Sequence, residues 1–264
     1  MRKNRVSSAN LSNLPALRHG LAKEDFQSER KTPVLSVQGG LVLGFNGFFT
    51  WLESGSDVFF SGQASLRSFF GVAFWTLFIF VPALTMRSLA EEKKTGTIEL
   101  LLTKAVTDRQ VIWGKFLAVF ILVAISLLLT LTYVFTIQGF VLFGYSGIGD
   151  LDMGATISGY LGLLLMSVMY IGIGMFSSSI NNNQVVALLI SFLIGIFFHL
   201  IFGALSRNST GWLGELFETL STTAHFESIS RGVIDTRDVI FFISVGWLGV
   251  FLAEVSLTKR KVVD

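Results

Sequence analysis

Long apolar runs, separated by short polar segments, are the main pattern along this chain. Five of them are close to the roughly 20 largely apolar residues that a helix needs to cross the hydrocarbon core of a bilayer. They cover residues 69–86, 116–136, 157–176, 185–205 and 239–257. Strands of a transmembrane barrel would instead alternate apolar and polar residues in segments of about 10. The pattern therefore predicts an all-α polytopic membrane protein.

A sixth apolar run, at residues 34–52, is interrupted by four glycines and by Asn46. Glycines are tolerated in membrane helices and often mark close helix contacts. We predict a sixth span here, with a tilted or partly re-entrant segment as the alternative. The predicted organisation is a polar segment at 1–33, a six-span bundle at 34–258 and a basic tail at 259–264.

Composition agrees with a membrane location. The 264 residues are 52% hydrophobic and 14% charged, whereas soluble domains carry about 25% charged residues. With six spans, the segments that share one side are 1–33, 87–115, 177–184 and the tail. They hold 7, 6, 0 and 3 of the Lys and Arg residues, which is 16 of the 20. Positive charge favours the cytoplasmic side, so both termini are predicted to be cytoplasmic. The other four cations are Arg67, Arg207, Arg231 and Arg237.

A charged segment lies between the second and third predicted spans, at residues 91–103. Gly96 can end the extension of the second span, and Thr97 can then cap a short helix whose apolar face includes Ile98, Leu101 and Leu102. Such a helix either packs on its own bundle at the membrane surface or binds a groove on a partner. Spacing alone leaves both interpretations open. The next helix has a capping-box sequence, Thr107 followed by Gln110.

The segment before the last span, residues 206–237, predicts two short helices that enter the outer leaflet. Apolar positions recur at helical spacing in both of them, and Gly232 is a suitable helix stop. These helices either seal the bundle or gate a substrate path, and the pattern does not rank the two. The candidate gate residues are Trp212, Phe217, His225, Phe226, Glu227 and Arg231.

Several kinds of chemistry have no recognisable residues in this chain. There is no cysteine, which excludes thiol nucleophiles and disulfides, and there is no phosphate-binding G-x-x-x-x-G-K-[ST] loop. Only His199 and Glu254 are ionisable within the five strong spans. We expect His199 to have a packing role rather than to act as a proton relay, because the sequence shows no partner for it. We expect Glu254 either to extend to the membrane surface or to pair with Lys259 or Lys261. No catalytic residue, metal site or bound cofactor is predicted, and no nucleic acid partner.

Short motifs between residues 81 and 118 resemble those of ABC-2 type transporter permeases. They are Pro82, Met86-Arg87, Glu91-Glu92-Lys93, Gly96-Thr97, Glu99-Leu100-Leu101-Leu102-Thr103 and Gly114-Lys115-Phe116. Ser177-Ser178 and residues 183–187 resemble the second cytoplasmic turn of that family. Residues 225–235 resemble the outer loop of a subgroup that includes the gliding-motility permease GldF. The segment before residue 33 departs from the family pattern, because it is mostly polar where an apolar elbow helix is usual.

The resemblance implies a non-enzymatic transport subunit in the bacterial inner membrane, in contact with lipid. Residues 91–103 would be a coupling helix that docks on an ABC ATPase subunit, present in two copies, which binds ATP and Mg²⁺. Glu91, Glu92 and Glu99 would supply polar contacts, Leu100, Leu101 and Leu102 apolar ones. A second permease, the same chain or a sister, would complete the exporter, with a link to gliding motility. The alternatives are a membrane scaffold that recruits a cytosolic partner, and a facilitative channel.

Overall fold

A computed structural model of the chain describes residues 40, 44–49, 65–96, 107–138, 149 and 151–263. All regular structure over these residues is helical. Apart from Gly40, they belong to one unit, residues 43–264. Within the predicted sixth span at 34–52, residues 44–49 are helical and most of the remainder lies outside the described residues. The N-terminal segment 1–33 lies outside them as well.

Besides the helical residues 44–49, nine α-helices are described over these ranges. They are α1 (Arg67–Thr85), α2 (Ala90–Thr95), α3 (Asp108–Gln138), α4 (Met153–Ile180), α5 (Gln184–Ile196), α6 (Phe202–Asn208), α7 (Trp212–Leu220), α8 (Thr222–Ser230) and α9 (Thr236–Val263). A π-helical turn, Phe197–Ile201, joins α5 to α6.

The five strong apolar runs are confirmed as helices long and apolar enough to cross a membrane. These candidate spans are Arg67–Thr95, Asp108–Gln138, Met153–Ile180, Gln184–Asn208 and Thr236–Lys259. Large apolar side chains such as Leu128, Leu189 and Ile240 are exposed on their outer faces. A helix satisfies its own backbone hydrogen bonds, so such a surface is stable in lipid. The molecule is therefore a multi-pass membrane protein.

Local signals in the sequence account for several helix boundaries. The predicted capping box is confirmed, because Gln110 N donates to Thr107 Oγ1 (3.3 Å) and Thr107 N donates to Gln110 Oε1 (3.1 Å). Gly96 ends α2 with a φ of 70°, a conformation that glycine adopts at little cost. Gly232, with a φ of 94°, follows the end of α8 as predicted. α9 continues to Val263, so most of the predicted tail is helical, since Lys and Arg suit the last turn of a helix.

α4 lies at the centre of the bundle and contacts α1, α3, α5, α8 and α9. Its crossing with α9 is close because glycines meet there. A Cβ atom added to Gly172 would lie 2.3 Å from Gly246 O, and one added to Gly249 would lie 2.4 Å from Gly172 C. Small residues let helix backbones approach each other in membrane proteins, and here they hold α4 against α9.

Candidate functional site

The short helix α2 begins the charged segment that the sequence singles out. The turn 86–89 connects it to α1, and it includes Glu91 and Glu92 and ends at Gly96. The predicted helix that follows Gly96 lies outside the described residues. The candidate residues in it are Thr97, Glu99, Leu100, Leu101, Leu102 and Thr103.

The hydroxyl of Ser178, in the last turn of α4, holds the start of α2. It accepts hydrogen bonds from the backbone N–H groups of Leu89 and Ala90, both at 3.0 Å. It also donates to the carbonyl of Met86 at 3.1 Å. The first N–H groups of a helix have no partner within the helix, and Leu89 and Ala90 are fully buried. One side chain therefore supplies the capping contacts that α2 would otherwise lack.

Two lysines attach α2 to the bundle at further points. Lys93 is only 9% exposed, and its ammonium group donates to the carbonyl of Ser179 on α4. Lys115, on α3, contacts both the carbonyl of Ser88 and the carboxylate of Glu92. α2 is thus tied to α4 through Ser178 and Lys93, and to α3 through Glu92.

These contacts distinguish the two acidic residues of α2, which the sequence treats alike. Glu92 is half-buried against Lys115, whereas Glu91 and Lys94 are exposed. Glu92 therefore already has a cationic partner within the chain, and Glu91 is the carboxylate that α2 leaves accessible. No local pattern indicated this difference, because Lys115 is more than twenty residues away and on another helix.

Further polar contacts join α9 to this end of the bundle. Ser256 donates to the carbonyl of Ser179 at 3.2 Å, so this carbonyl accepts from both Lys93 and α9. Glu254 lies 3.9 Å from Arg109 Nε on α3. We expected Glu254 either to extend to the membrane surface or to pair with Lys259 or Lys261. The observed partner is instead a residue far away in sequence, brought close by the packing of α3 against α9.

A cavity of about 940 Å³ lies at the opposite end of the bundle. It is enclosed by α1, the π-helical turn, α6 and α8. Its lining combines arginines with aromatic side chains: Arg67, Phe70, Gly71, Phe74, Trp75, His199, Leu200, Gly203, Ala204, Arg207, Thr223, Phe226, Glu227, Ser230 and Arg231. Three of the candidate gate residues, Phe226, Glu227 and Arg231, are brought together here.

The other three candidate gate residues do not line this cavity. His225 is buried, with Nδ1 2.6 Å from Asp238 Oδ1 and Nε2 2.9 Å from the carbonyl of Thr219. It therefore connects α8 to both α7 and α9. Phe217 stacks on Phe202, with ring centroids 6.2 Å apart, and Trp212 is 73% exposed. The two short helices occur where the sequence predicts them, but their candidate residues form no single site.

His199 packs within the bundle as expected, and it also has a polar partner that the sequence did not reveal. It lies in the π-helical turn with its Nδ1 2.8 Å from the hydroxyl of Tyr170 on α4, and its ring stacks on those of Phe74 and Phe78. Its Nε2 is buried and has no hydrogen-bonding partner among the described residues. Tyr170 is 29 residues away in an apolar helix, so no local pattern indicated the pairing.

Comparison with known proteins identifies a family for this chain. Residues 44–255 match a family model described as ABC-2 family transporter protein. The match covers most of the chain, including α2, the cavity and all five candidate spans except the last four residues of the fifth. No curated protein matches the chain.

Proposed function

Since the chain belongs to the ABC-2 family of transporter proteins, we propose that it transmits ATP-driven motion from a separate ABC ATPase to a transport path through α2. The family makes the chain a membrane permease subunit and implies an ABC ATPase as its partner. We also propose which residues contact the ATPase and which helices receive the motion. ATP and Mg²⁺ are assigned to the ATPase, and no cofactor to this chain.

The attachment of α2 to three long helices is the observation that supports the proposal most. A short turn connects it to α1, Ser178 and Lys93 connect it to α4, and Glu92 connects it to α3 through Lys115. A partner that displaces α2 must therefore move these helices or break buried hydrogen bonds. A docking segment that only recruits a partner has no need of such contacts.

The proposed docking surface consists of the accessible part of α2 and the residues that follow Gly96. Glu91 would contact the ATPase directly, with Glu99 as a second carboxylate and Leu100, Leu101 and Leu102 as apolar contacts. Thr97 and Thr103 would begin and end that segment. Glu92 would act within the chain, by keeping α2 in a fixed position on α3.

The assembly we propose is an exporter in the bacterial inner membrane. It would contain two ATPase copies and a second permease, either this chain or a sister subunit, with both termini in the cytoplasm. The distribution of 16 of the 20 Lys and Arg residues supports this orientation. Export of an amphiphilic or polymeric substrate, a role in gliding motility, and a gate formed by Phe226, Glu227 and Arg231 are parts of the same proposal.

Charge reversal at Glu91 tests the docking surface. The full chain is co-expressed with its ATPase, and the amount of ATPase that co-purifies is measured for Glu91→Lys and for the control Glu218→Lys. Both glutamates are exposed, but Glu218 lies on α7 at the other end of the bundle. We expect about a tenfold loss of ATPase affinity for Glu91→Lys and no change for the control. Equal affinities in the two variants would contradict docking at α2.

A second measurement separates a transporter from a scaffold. Because the natural chain has no cysteine, the variant Ala204→Cys places a single thiol at the cavity, far from α2. We expect ATP to change its rate of reaction with a maleimide in the complex with the ATPase. A rate that is the same with and without ATP would favour the scaffold.

A further inference from the structure

Three of the four arginines outside the predicted cytoplasmic segments lie at the cavity. Arg67 is the first residue of α1, Arg207 is in the last turn of α6, and Arg231 directly follows α8. All three line the cavity, whereas Arg237 does not. Arg67 and Arg207 lie at the ends of candidate spans, where lipid headgroups lie, and Arg231 lies in the segment before the last span. The cavity therefore has a cationic rim at headgroup level.

Carboxylates offset only part of this positive charge. Glu227 is the one acidic residue lining the cavity, and it pairs with Arg231 at 3.0 Å. Asp152 lines a smaller adjoining cavity that shares Arg67 and Arg231, and its carboxylate caps α4 by accepting from Ala155 N at 3.2 Å. In the part of the chain that the structure describes, no carboxylate forms an ion pair with Arg67 or Arg207.

Below the rim the cavity is aromatic. Phe70, Phe74, Trp75 and Phe226 contribute rings to its lining. His199 lies there as well, and its Nε2 is buried without a partner among the described residues. The π-helical turn that carries His199 is a conformation found frequently at functional sites. His199 therefore contributes an aromatic ring to the wall of the cavity.

We propose that this cavity binds a phosphate-bearing amphiphile, with its phosphate at Arg67 and Arg207 and its apolar tail along Phe74 and Trp75. Guanidinium groups bind phosphate oxygens through paired hydrogen bonds. The volume of about 940 Å³ is at the upper end of the range for small-molecule pockets. A free anion would leave the aromatic rings without a contact, and an uncharged lipid would leave the arginines without an anionic partner. The two halves of the site together therefore favour a ligand that has both a phosphate and an apolar tail. Binding requires neither ATP nor the ATPase, so it is separate from the proposed coupling.

Native mass spectrometry of the full chain in neutral detergent tests this site. The protein is titrated with phosphatidylglycerol, with phosphatidylcholine, and with phosphatidylglycerol in the presence of excess inorganic phosphate. The double variant Arg67→Gln/Arg207→Gln removes the rim charge, and Arg237→Gln is the matched control. Gly71→Leu keeps every charge but adds a bulky side chain at the wall of the cavity. There is space for it, because a Cβ atom added at Gly71 meets nothing within 4 Å.

We expect the Kd of the first bound phosphatidylglycerol to rise about tenfold or more in the double variant and in Gly71→Leu, and to be unchanged in Arg237→Gln. Phosphatidylcholine should bind more weakly, because its own choline cation competes with the arginines for its phosphate. Inorganic phosphate should not displace the lipid. Equal binding of the two lipids in all variants would mean ordinary lipid contact and would overturn the proposal. Displacement by inorganic phosphate would show an anion site without a place for the tail, which also overturns it. An equal rise of the Kd in Arg237→Gln would show that the effect depends only on the overall charge of the protein, which also overturns the proposal.

Discussion

Among single residues, Ser178 makes the largest number of contacts between α2 and the centre of the bundle. Its hydroxyl accepts from Leu89 N and Ala90 N and donates to Met86 O, within a buried environment. The turn between α1 and α2 and the first residues of α2 therefore depend on one side chain. Lys93 and Glu92 add contacts farther along α2, but neither satisfies these first N–H groups.

Replacing Ser178 by alanine should lower stability more than replacing a serine that makes no such bonds. Ser178→Ala leaves two buried N–H groups without an acceptor, which costs about 1–3 kcal/mol per group. Ser191 is also buried, and its hydroxyl has no described partner, so Ser191→Ala is the control and should be neutral or slightly stabilising. Thermal unfolding of each variant in lipid nanodiscs measures the difference. Equal melting temperatures would show that the Ser178 contacts contribute little.

The residue scale also shows which contacts the sequence could predict. Thr107 with Gln110, and the helix stops at Gly96 and Gly232, depend only on neighbours within a few positions, and these predictions were confirmed. The contacts of Ser178, His199 and Glu254 join residues between 29 and 145 positions apart, on different helices. In a membrane protein, the lipid-facing side and the buried side of a helix are both largely apolar. The local sequence therefore does not indicate which side chain faces which neighbour.

At the scale of elements, α4 and α9 cross with backbone directly against backbone. Gly172, Gly246 and Gly249 form this crossing, and the backbones are too near each other to admit a methyl group at Gly172. Such a contact gains van der Waals energy in a setting where burial from water contributes little. It also fixes the position of the last turn of α4, which holds α2, relative to α9.

A methyl group at this crossing should therefore destabilise the bundle. Gly172→Ala places Cβ 2.3 Å from Gly246 O, which forces the helices apart at a cost of about 1–3 kcal/mol. Gly114→Ala, on α3, meets nothing within 4 Å, and alanine should stabilise that helix by about 1 kcal/mol. The melting temperatures of the two purified variants should change in opposite directions. A Gly172→Ala protein as stable as the natural one would mean that the crossing adjusts freely.

The elements themselves were more predictable than their contacts. Apolar length alone identified the five spans, since the hydrocarbon thickness imposes it, and the two stripes before the last span correspond to α7 and α8. The π-helical turn at Phe197–Ile201 was not predictable, because the apolar residues around it fit a regular helix equally well. The cavity was missed for a different reason, because its arginines are far apart in sequence and lie in or beside three separate helices.

For the whole molecule, α1 connects the cavity to the end of the bundle that carries the proposed docking surface. It extends from Arg67 at the cavity to Thr85, and four residues separate it from α2. Its 19 residues span about 28 Å, which is close to the thickness of the hydrocarbon core. The central helix α4 extends between the same two ends of the bundle. It contacts α8 beside the cavity at Gly162 and the start of α2 at Ser178. In the proposed mechanism, a displacement of α2 would reach the cavity through these two helices.

This arrangement makes a direct prediction about orientation. Lys94, on α2, and Thr210, beyond α6, are both exposed, and three candidate spans separate them, so they must lie on opposite sides of the membrane. In a chain without natural cysteines, a membrane-impermeant maleimide should label Thr210→Cys on intact spheroplasts and Lys94→Cys only on inverted vesicles. The reverse pattern would place α2 outside the cell, where no ATP-driven partner could reach it, and would refute the coupling proposal. Labelling of both cysteines from one side would instead contradict the three-span separation, because an odd number of crossings cannot return the chain to the side it left.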